Sequence, residues 1–247
     1  KIALFAGSRG FTGAAYISTQ AAVKCGSGLT TLVTDSYVQD IASQKLCEAM
    51  TLNIAENQKV INLIKDCDAI GFGCGMGDND DTYNKLEYIL NNTTCPIIID
   101  ADGLNVLKDK KELLKSNPNR IIITPHLGEM SRLTGYPINY IRDNKVDAAK
   151  EFANKYKVVV LLKGYETVIT NGKYTYINPT GNSSMANGGM GDTLLGMITS
   201  FVGQGMTNLM GTVCAAYIHG YIGQRLSKDL YTVNASDVIN LIPQTMK

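Results

Sequence analysis

A cluster of glycines with a single carboxylate, Asn187-Gly188-Gly189-Met190-Gly191-Asp192, directly precedes the helix-like run Thr193–Ile198. The first N–H groups of a helix have no partner within the helix, so a glycine-rich helix start is an anion site. A carboxylate there repels a bound phosphate, unless it takes a proton from a group about to react with that phosphate. Asp192 is therefore a candidate general base. The alternative is that Asp192 only offsets the helix dipole, an effect of about 0.3–1 kcal/mol.

Further polar side chains follow strand-like apolar runs. Asp100 and Asp102 come directly after Ile97-Ile98-Ile99. Such a carboxylate pair could orient the water ligands of Mg²⁺, which usually takes few protein ligands. Asp102 could equally cap a helix.

His126 and Lys163 are two further candidates at strand ends. His126 stands at an expected helix start with Glu129 three residues on. Capping alone explains Glu129, but imidazole is not a favoured cap, so His126 is a candidate for function. Lys163 emerges from the apolar run Val158–Leu162, which favours a phosphate contact over a lysine that only packs its stem. The other histidine, His219, lies in an apolar helix and is expected to pack.

Two glycine-rich loops also end strands. The loop Ala6–Ala15 leads into a helix, and Asp35 ends the next strand near the position of a ribose-binding acid. Its spacing is G-x-x-G-x-x-G rather than G-x-G-x-x-G, so it matches the dinucleotide fingerprint poorly. The loop Gly71–Gly77 permits close contact with a ligand or forms a tight turn.

These loops must be positioned by alternating strands and helices. Short apolar runs are typical of strands covered on both faces, and Asn171-Gly172 between two strand-like runs predicts a type I′ hairpin. The pattern predicts an α/β fold, a three-layer α/β/α sandwich with a mainly parallel central sheet, in one domain over residues 1–247. The expected strands are Ile2–Ala6, Leu29–Thr34, Ala49–Ile54, Ala69–Phe72, Pro96–Asp100, Arg120–Thr124, Val158–Leu162, Thr167–Thr170 and Tyr174–Ile177, and the expected helices include Thr12–Cys25, Lys145–Tyr156, Met190–Phe201, Thr207–Leu226 and Asn234–Ile242.

Composition excludes several classes of function. The 247 residues include 23 basic and 22 acidic side chains, which leaves no basic stripe for nucleic acid and no polybasic membrane patch. No apolar run approaches the roughly 18 residues of a membrane span. The six cysteines have no metal-site spacing, so reduced thiols and a cytoplasmic location are expected. Because the chain begins inside a strand without Met, upstream residues are expected to be missing.

Taken in order, these motifs resemble the ribokinase-like NAD(P)H-hydrate dehydratase family, the C-terminal YjeF-type domain. The similarity covers nearly the whole chain. The motifs that occur in family order are Ala6-Gly7-Ser8 with Thr12-Gly13-Ala14-Ala15, Gly73–Gly77, Asp100–Asn105, Thr124–Glu129, Lys163-Gly164 and Gly188–Asp192.

The resemblance implies dehydration of the hydrated cofactors NADHX and NADPHX to NADH and NADPH, coupled to hydrolysis of ADP to AMP and phosphate. The motif forms look bacterial, which implies ADP rather than ATP, with Mg²⁺ as cofactor. Family motifs imply that Ala15, Gly77, His126 and Asp192 contact the hydrate, with Asp192 catalytic. They imply nucleotide binding by Lys163, Gly164, Tyr165, Glu166, Thr167, Gly188, Gly189 and Gly191.

The resemblance also implies a homotetramer and an NAD(P)H-hydrate epimerase as a functional or fused partner. Asp78 and Asn187 depart from the family pattern, in which a basic residue and Thr are frequent. Two alternatives stay open at this point. One is a small-molecule kinase of the same fold, of the hydroxyethylthiazole kinase type, and the other is a non-catalytic nucleotide sensor.

Overall fold

A nine-stranded sheet forms the centre of the computed structural model, which describes residues 1–247. Its strand order is β3-β2-β1-β4-β5-β6-β7-β8-β9. Strands β1 to β7 run parallel to one another, β8 is antiparallel to β7, and β9 is antiparallel to β8. The strands are β1 (Ile2–Phe5), β2 (Thr30–Thr34), β3 (Met50–Asn53), β4 (Ala69–Phe72), β5 (Ile97–Ile99), β6 (Ile121–Ile123), β7 (Val159–Leu162), β8 (Val168–Thr170) and β9 (Thr175–Ile177).

Helices connect the strands and cover both faces of the sheet. They are α1 (Thr12–Lys24), α2 (Ser36–Ala42), α3 (Asn57–Lys65), α4 (Asp80–Asn92), α5 (Asp102–Asn105), α6 (Leu127–Thr134), α7 (Ile138–Asp143), α8 (Lys145–Tyr156), α9 (Met190–Gly203), α10 (Asn208–Leu226) and α11 (Ala235–Thr245). Two short 3-10 turns lie at Lys111–Ser116 and Ser183–Met185. None of the helices combines the length and apolar composition that crossing a bilayer requires.

Alternate side chains of the buried strands β1, β2 and β4 to β8 enter two separate cores. Ile97 and Ile99 belong to the core that includes residues of α3, α4 and α8, whereas Ile98 belongs to the core beneath α1, α9 and α11. Successive side chains of a strand point to opposite faces, so a continuous apolar run is buried on both. The three-layer α/β/α arrangement predicted from the sequence is confirmed.

Helices α1 and α9 pack very closely on one face of the sheet. A methyl group at Gly196 would lie 2.1 Å from the carbonyl oxygen of Ser18 and 3.0 Å from Ala21 Cβ. Glycine at this position therefore lets the two backbones meet, which fixes the start of α9 against α1.

The late hairpin is present, but its predicted turn type is wrong. Beyond the Thr170–Thr175 pair, the Asn171 amide donates to the Tyr174 carbonyl oxygen at 3.3 Å, so Gly172 and Lys173, not Asn171 and Gly172, are the central residues of the turn. Gly172 has φ +88°, while Asn171 does not have the positive φ that a type I′ turn also requires. The Asn171 side chain instead accepts hydrogen bonds from the amides of Lys173 and Tyr174.

Candidate active site

The strand order reverses between β1 and β4, which pair with each other while their crossovers run in opposite directions along the sheet. In open α/β sheets, ligands bind beyond the carboxyl ends of the strands at such a point. The two loops that begin there are joined, because the Gly7 amide donates to the Cys74 carbonyl oxygen at 2.8 Å. The glycine loops singled out in the sequence therefore meet at the expected ligand edge.

Ala15 lies beneath the first of these loops. It is fully buried, and a methyl group at Gly7, which has φ +87°, would lie 2.8 Å from Ala15 Cβ. The side chain therefore supports the loop and is not open to a ligand in this conformation. The contact of Ala15 with the hydrate stays a prediction, and with its side chain buried it would have to be made by the backbone.

The glycine cluster opens α9 at the same edge. Gly189 is the N-cap residue with φ +90°, and no side chain caps the helix. A methyl group at Gly189 would lie 2.9 Å from both Ala235 Cβ and Ile17 Cδ1, whereas one at Gly188 would meet nothing within 4 Å. The first amides of α9 thus remain without a side-chain cap beside open space, as an anion site requires.

Asp192 lies in the first turn of α9 in a partly buried position. Burial raises the pKa of its carboxyl group above the usual value. The Cys74 thiol and Lys163 oppose this rise, while Asp100 and Asp102 add to it. Cys74 is itself fully buried, and burial together with Asp192 and Asp100 raises the pKa of its thiol. A base with a raised pKa is better matched to proton transfer near neutral pH.

Lys163 binds two buried carboxylates next to this helix start. Its Nζ lies 2.6 Å from Asp100 Oδ1 and 3.7 Å from Glu129 Oε2. Burial lowers the pKa of Lys163, but the attraction of Asp100 and Glu129 outweighs this effect, so the pKa of the lysine is raised overall. A methyl group at Gly191 would lie 3.5 Å from Lys163 Nζ and 3.3 Å from Asp100 Oδ2. The ammonium group therefore adjoins the anion site.

The turn after β5 positions the second carboxylate of the pair. Ala101 adopts φ +50° and ψ −119°, a strained conformation for a residue with a side chain. Asp102 follows as the first residue of α5, and its Oδ2 accepts a hydrogen bond from the Gly77 amide at 2.8 Å. Asp102 therefore fixes the glycine turn after β4 and does not act as the N-cap of its own helix.

His126 proves to be a helix cap, contrary to the expectation from its residue type. Its Nδ1 accepts hydrogen bonds from the amides of Gly128 and Glu129 at 2.9 and 3.3 Å, and Glu129 Oε2 accepts from the His126 amide at 2.7 Å. Because Nδ1 accepts, the neutral ring carries its proton on Nε2. The imidazole is 54% exposed, and its Nε2 lies 3.5 Å from Glu129 Oε1. That distance is too long for a good hydrogen bond, so the N–H can donate to a ligand at the exposed edge of the ring.

The loop Lys163–Thr167 follows β7 and is held from two sides. The Thr167 hydroxyl donates to the Gly164 carbonyl oxygen at 2.9 Å. Lys145 donates to the carbonyl oxygens of Tyr165 and Glu166. Tyr165 is 82% exposed, which leaves its ring available to a ligand.

The structure thus brings Asp192, Lys163 and Gly191 together and adds two residues that were not among the predicted site residues. These are Cys74 and Glu129, which contact Asp192 and Lys163 respectively. No local signal marks the Cys74 contact, because it joins residues far apart in the chain. A separate polar cavity of about 380 Å³ is lined by residues that include Asp78, Tyr83 and Lys110. Asp192 does not line it.

Comparisons with known proteins agree on one family. A family model described as NAD(P)H-hydrate dehydratase matches residues 2–244. An ADP-dependent (S)-NAD(P)H-hydrate dehydratase from Staphylococcus aureus is 36% identical over 250 residues, which cover 100% of this chain and 88% of the relative. A bifunctional NAD(P)H-hydrate repair enzyme from Moorella thermoacetica is 32% identical over 255 residues, covering 98% of this chain; the chain spans only 48% of that relative.

Solved structures agree as well. A ribokinase-like superfamily protein from Enterococcus faecalis superposes with a TM-score of 0.91 at 29% identity, covering 99% of this chain and 86% of that one. An ADP/ATP-dependent NAD(P)H-hydrate dehydratase from Bacillus subtilis, co-crystallised with ATP/Mg²⁺, gives a TM-score of 0.84 at 28% identity, covering 99% and 88%. The fold is therefore ribokinase-like.

Proposed function

The chain belongs to the NAD(P)H-hydrate dehydratase family, and we propose that it dehydrates NADHX and NADPHX to NADH and NADPH while hydrolysing ADP to AMP and phosphate. We further propose that residues 1–247 act as one domain in this reaction. The observation that carries the proposal is the proximity of a carboxylate with a raised pKa, Asp192, to the uncapped amides of α9 and the ammonium group of Lys163.

The first step activates a poor leaving group. Asp192 accepts the proton of the C6 hydroxyl while the hydroxyl oxygen attacks the terminal phosphorus of ADP, and AMP leaves with the electrons of the broken P–O bond. Charge on the transferred group is stabilised by the amides of Gly188, Gly189 and Gly191 and by Lys163. One preorganised amide donor contributes about 3–4 kcal/mol, whereas a 10⁶-fold rate gain needs about 8, so several donors must act together.

The second step removes the phosphate. The C6–O bond breaks, phosphate leaves with the electron pair, and the ring nitrogen lone pair forms a double bond to C6. The resulting cation loses a proton from C5 to the departing phosphate, which gives the dihydronicotinamide ring. The net change is loss of water from the cofactor and hydrolysis of ADP.

His126 and Gly77 are proposed to orient the hydrate. The proton on His126 Nε2 makes the exposed edge of the neutral ring a hydrogen-bond donor. Gly77 belongs to the turn that Asp102 fixes through the Gly77 amide. Both therefore have defined positions at the edge that carries Asp192.

The loop Lys163–Thr167 is proposed to hold the nucleotide. Its backbone is fixed by Lys145, and Gly164 has φ +149° with nothing within 4 Å of a built methyl group. A ligand could approach that backbone closely. The exposed ring of Tyr165 offers a flat apolar surface to a base.

We propose that Mg²⁺ would be held at this site through water and phosphate rather than by protein ligands alone. No group of three or more His, Cys, Asp or Glu side chains is arranged to bind a metal. Asp100 Oδ1 accepts from Lys163 and from the Ala101 amide, but Oδ2 receives no hydrogen bond from the protein and faces Gly191. Asp100 would therefore hold a metal-bound water. When bound with the nucleotide, Mg²⁺ neutralises phosphate charge.

We also propose a homotetramer and a functional or fused epimerase partner. The outer face of α10 exposes Tyr217 and Tyr221, whose rings stack 6.3 Å apart, which would suit an interface between subunits. The bifunctional name of the Moorella relative supports the epimerase association. Native mass spectrometry would give the oligomeric state.

The direct test is to incubate enzymatically prepared hydrate with ADP or ATP and follow the absorbance of the reduced nicotinamide. We expect recovery that depends on the nucleotide and releases phosphate, faster with ADP than with ATP, and no recovery without nucleotide. A stable phosphomonoester found by mass spectrometry would instead indicate a kinase, which has less support because the family model and curated relatives name the dehydratase. Nucleotide binding without phosphate release would indicate a sensor.

A further inference from the structure

Phe11 is an apolar ring left in solvent at the ligand edge of the sheet. It is 60% exposed, although a phenylalanine gains free energy when its ring is buried. It precedes the first residue of α1, and its side chain makes no capping hydrogen bond. Helix capping therefore does not explain an aromatic residue at this position, and most of the side chain remains uncovered.

The Cβ and Cγ atoms of Phe11 pack against the glycine turn that follows β4. A methyl group at Gly75 would lie 2.7 Å from Phe11 Cβ and 3.4 Å from Phe11 Cγ, and Gly75 has φ +66°. The glycine is thus required for Phe11 to reach this turn. Ala14 borders the same point, since its Cβ would lie 3.1 Å from that methyl group.

This turn connects Phe11 with the reaction centre. Residue 74, adjacent to Gly75, is the buried cysteine that contacts Asp192. Two residues further on, Gly77 is held by Asp102. Phe11 therefore packs on the turn that also carries Cys74, the neighbour of the proposed base, and Gly77, a proposed substrate contact.

The neighbouring aromatic residue does not share this role. The guanidinium group of Arg9 lies over the ring of Tyr37 at 4.6 Å, so Tyr37 already has a partner. Phe11 takes part in neither the aromatic pairs nor the cation–π contacts of the chain.

We propose that Phe11 is a substrate-positioning residue whose ring packs against the hydrated nicotinamide ring of the substrate. This inference rests on the proposed dehydratase function. An exposed aromatic ring gains free energy when another ring covers its apolar face, and ligand pockets commonly combine such apolar contacts with a few polar groups. Its π face also favours the cation that forms when phosphate leaves.

The test uses Phe11→Ala and Phe11→Tyr in the full chain. We expect Phe11→Ala to raise KM for the hydrate about tenfold, which corresponds to about 1.4 kcal/mol of lost apolar contact, with KM for ADP unchanged. Phe11→Tyr keeps the ring and should stay within about threefold of the wild type. Tyr88→Ala removes another partly exposed aromatic residue, on α4, and is the matched control for surface effects.

Binding without turnover separates positioning from catalysis. In an Asp192→Asn background, calorimetry should show about tenfold weaker hydrate binding when Phe11→Ala is added, with no change in melting temperature. Unchanged hydrate binding and KM in Phe11→Ala would overturn the inference. An equal loss for ADP and hydrate, or a lower melting temperature, would also overturn it in favour of a structural role. Absence of dehydratase activity in the wild type would instead refute the proposed function.

Discussion

Asp192 lies in an environment that disfavours its ionised form, at the helix start that forms the proposed anion site. Burial raises the pKa of its carboxyl group, and only the Cys74 thiol and Lys163 act in the opposite direction. A surface aspartate that merely offsets a helix dipole would not meet two further carboxylates. The environment therefore favours a functional role over simple dipole compensation.

Replacing Asp192 by Asn removes the proton acceptor and keeps the size of the side chain. We expect turnover to fall by about 10²- to 10⁴-fold, the range for loss of a positioned base. ADP affinity should remain similar, because the α9 amides stay in place. Steady-state kinetics and ADP titration measure the two quantities. Near-normal turnover would exclude Asp192 as the base.

The same substitution is expected to stabilise the fold at neutral pH. A carboxyl group whose folded-state pKa is raised resists ionisation when folded, so its contribution to stability is lost as pH rises through that pKa. Asn carries no charge and avoids this loss. Chemical denaturation at pH 7 should show a higher free energy of unfolding for Asp192→Asn than for the wild type, and the difference should shrink in acid. A less stable variant at pH 7 would contradict the account of the pKa.

Lys163 is expected to serve stability as well as phosphate binding. Lys163→Met leaves Asp100 and Glu129 without their cation, and removing one partner of a buried pair costs about 3–5 kcal/mol. Denaturant unfolding should show a loss near the lower end, since Lys163 is 21% exposed. Adding Asp100→Asn should restore part of it. If Lys163→Met is as stable as the wild type, the ion pairs do not contribute.

At the scale of elements, the junction of α1 and α9 sets the position of the anion site. Gly196→Ala would place a methyl group 2.1 Å from the Ser18 carbonyl oxygen, so the helices must separate. We expect the free energy of unfolding to fall by about 1–3 kcal/mol, as in other overpacked cores, and turnover to fall because Asp192 lies on α9.

Gly13→Ala is the matched control for this substitution. Gly13 also lies in a helix, but a methyl group there would meet nothing within 4 Å. Alanine should therefore be neutral or slightly stabilising at this position. Equal effects of the two substitutions on stability would show that helix packing is not the cause.

The sequence predicts most of the strands and helices, and β5 and β6 show why this is possible. Ile97–Ile99 pairs with Ile121–Ile123 in register, and both runs are fully buried, as continuous apolar runs indicate. The turn type at Asn171-Gly172 is predicted wrongly, because the Asn171 side chain accepts from the amides of Lys173 and Tyr174 and the central residues of the turn are displaced by one position. Turn geometry depends on such side-chain contacts, which a dipeptide pattern does not contain.

The site is predictable only in part. Residues at strand ends, such as Asp100 and Lys163, could be assigned to one edge, but their ion pair joins positions 63 residues apart. The sequence does not predict the helix cap formed by His126, because histidine is not among the preferred N-cap residues. In its neutral form, however, an imidazole can accept a hydrogen bond from a backbone amide through Nδ1, as His126 does from Gly128. Long-range contacts therefore set the electrostatics that the sequence leaves open.

At the scale of the whole molecule, His219 links stability to pH. Burial lowers its pKa from 6.5 to about 4, and its Nε2 has no hydrogen-bond partner. Because the unfolded chain binds a proton on this histidine more readily than the folded chain does, the fold is destabilised as pH falls from 6.5 towards 4. Above pH 6.5 the imidazole is neutral in both states and this loss is absent. The linked loss is about 3 kcal/mol.

The pH dependence is tested by comparing the wild type with His219→Gln. Urea unfolding between pH 7 and pH 4 should show a steeper loss of stability for the wild type than for the variant. Comparing slopes removes the constant effect of the substitution on packing. Parallel curves would mean that His219 does not control the acid sensitivity of the fold.

The central claim is that the ring hydroxyl of the substrate attacks the nucleotide and leaves as part of phosphate. It is tested most directly with hydrate that carries ¹⁸O in its C6 hydroxyl, incubated with ADP and the enzyme. Mass spectrometry of the products should find one ¹⁸O atom in each inorganic phosphate and none in AMP, with equal amounts of NADH and AMP formed. Unlabelled phosphate, with the ¹⁸O released as water, would contradict the account.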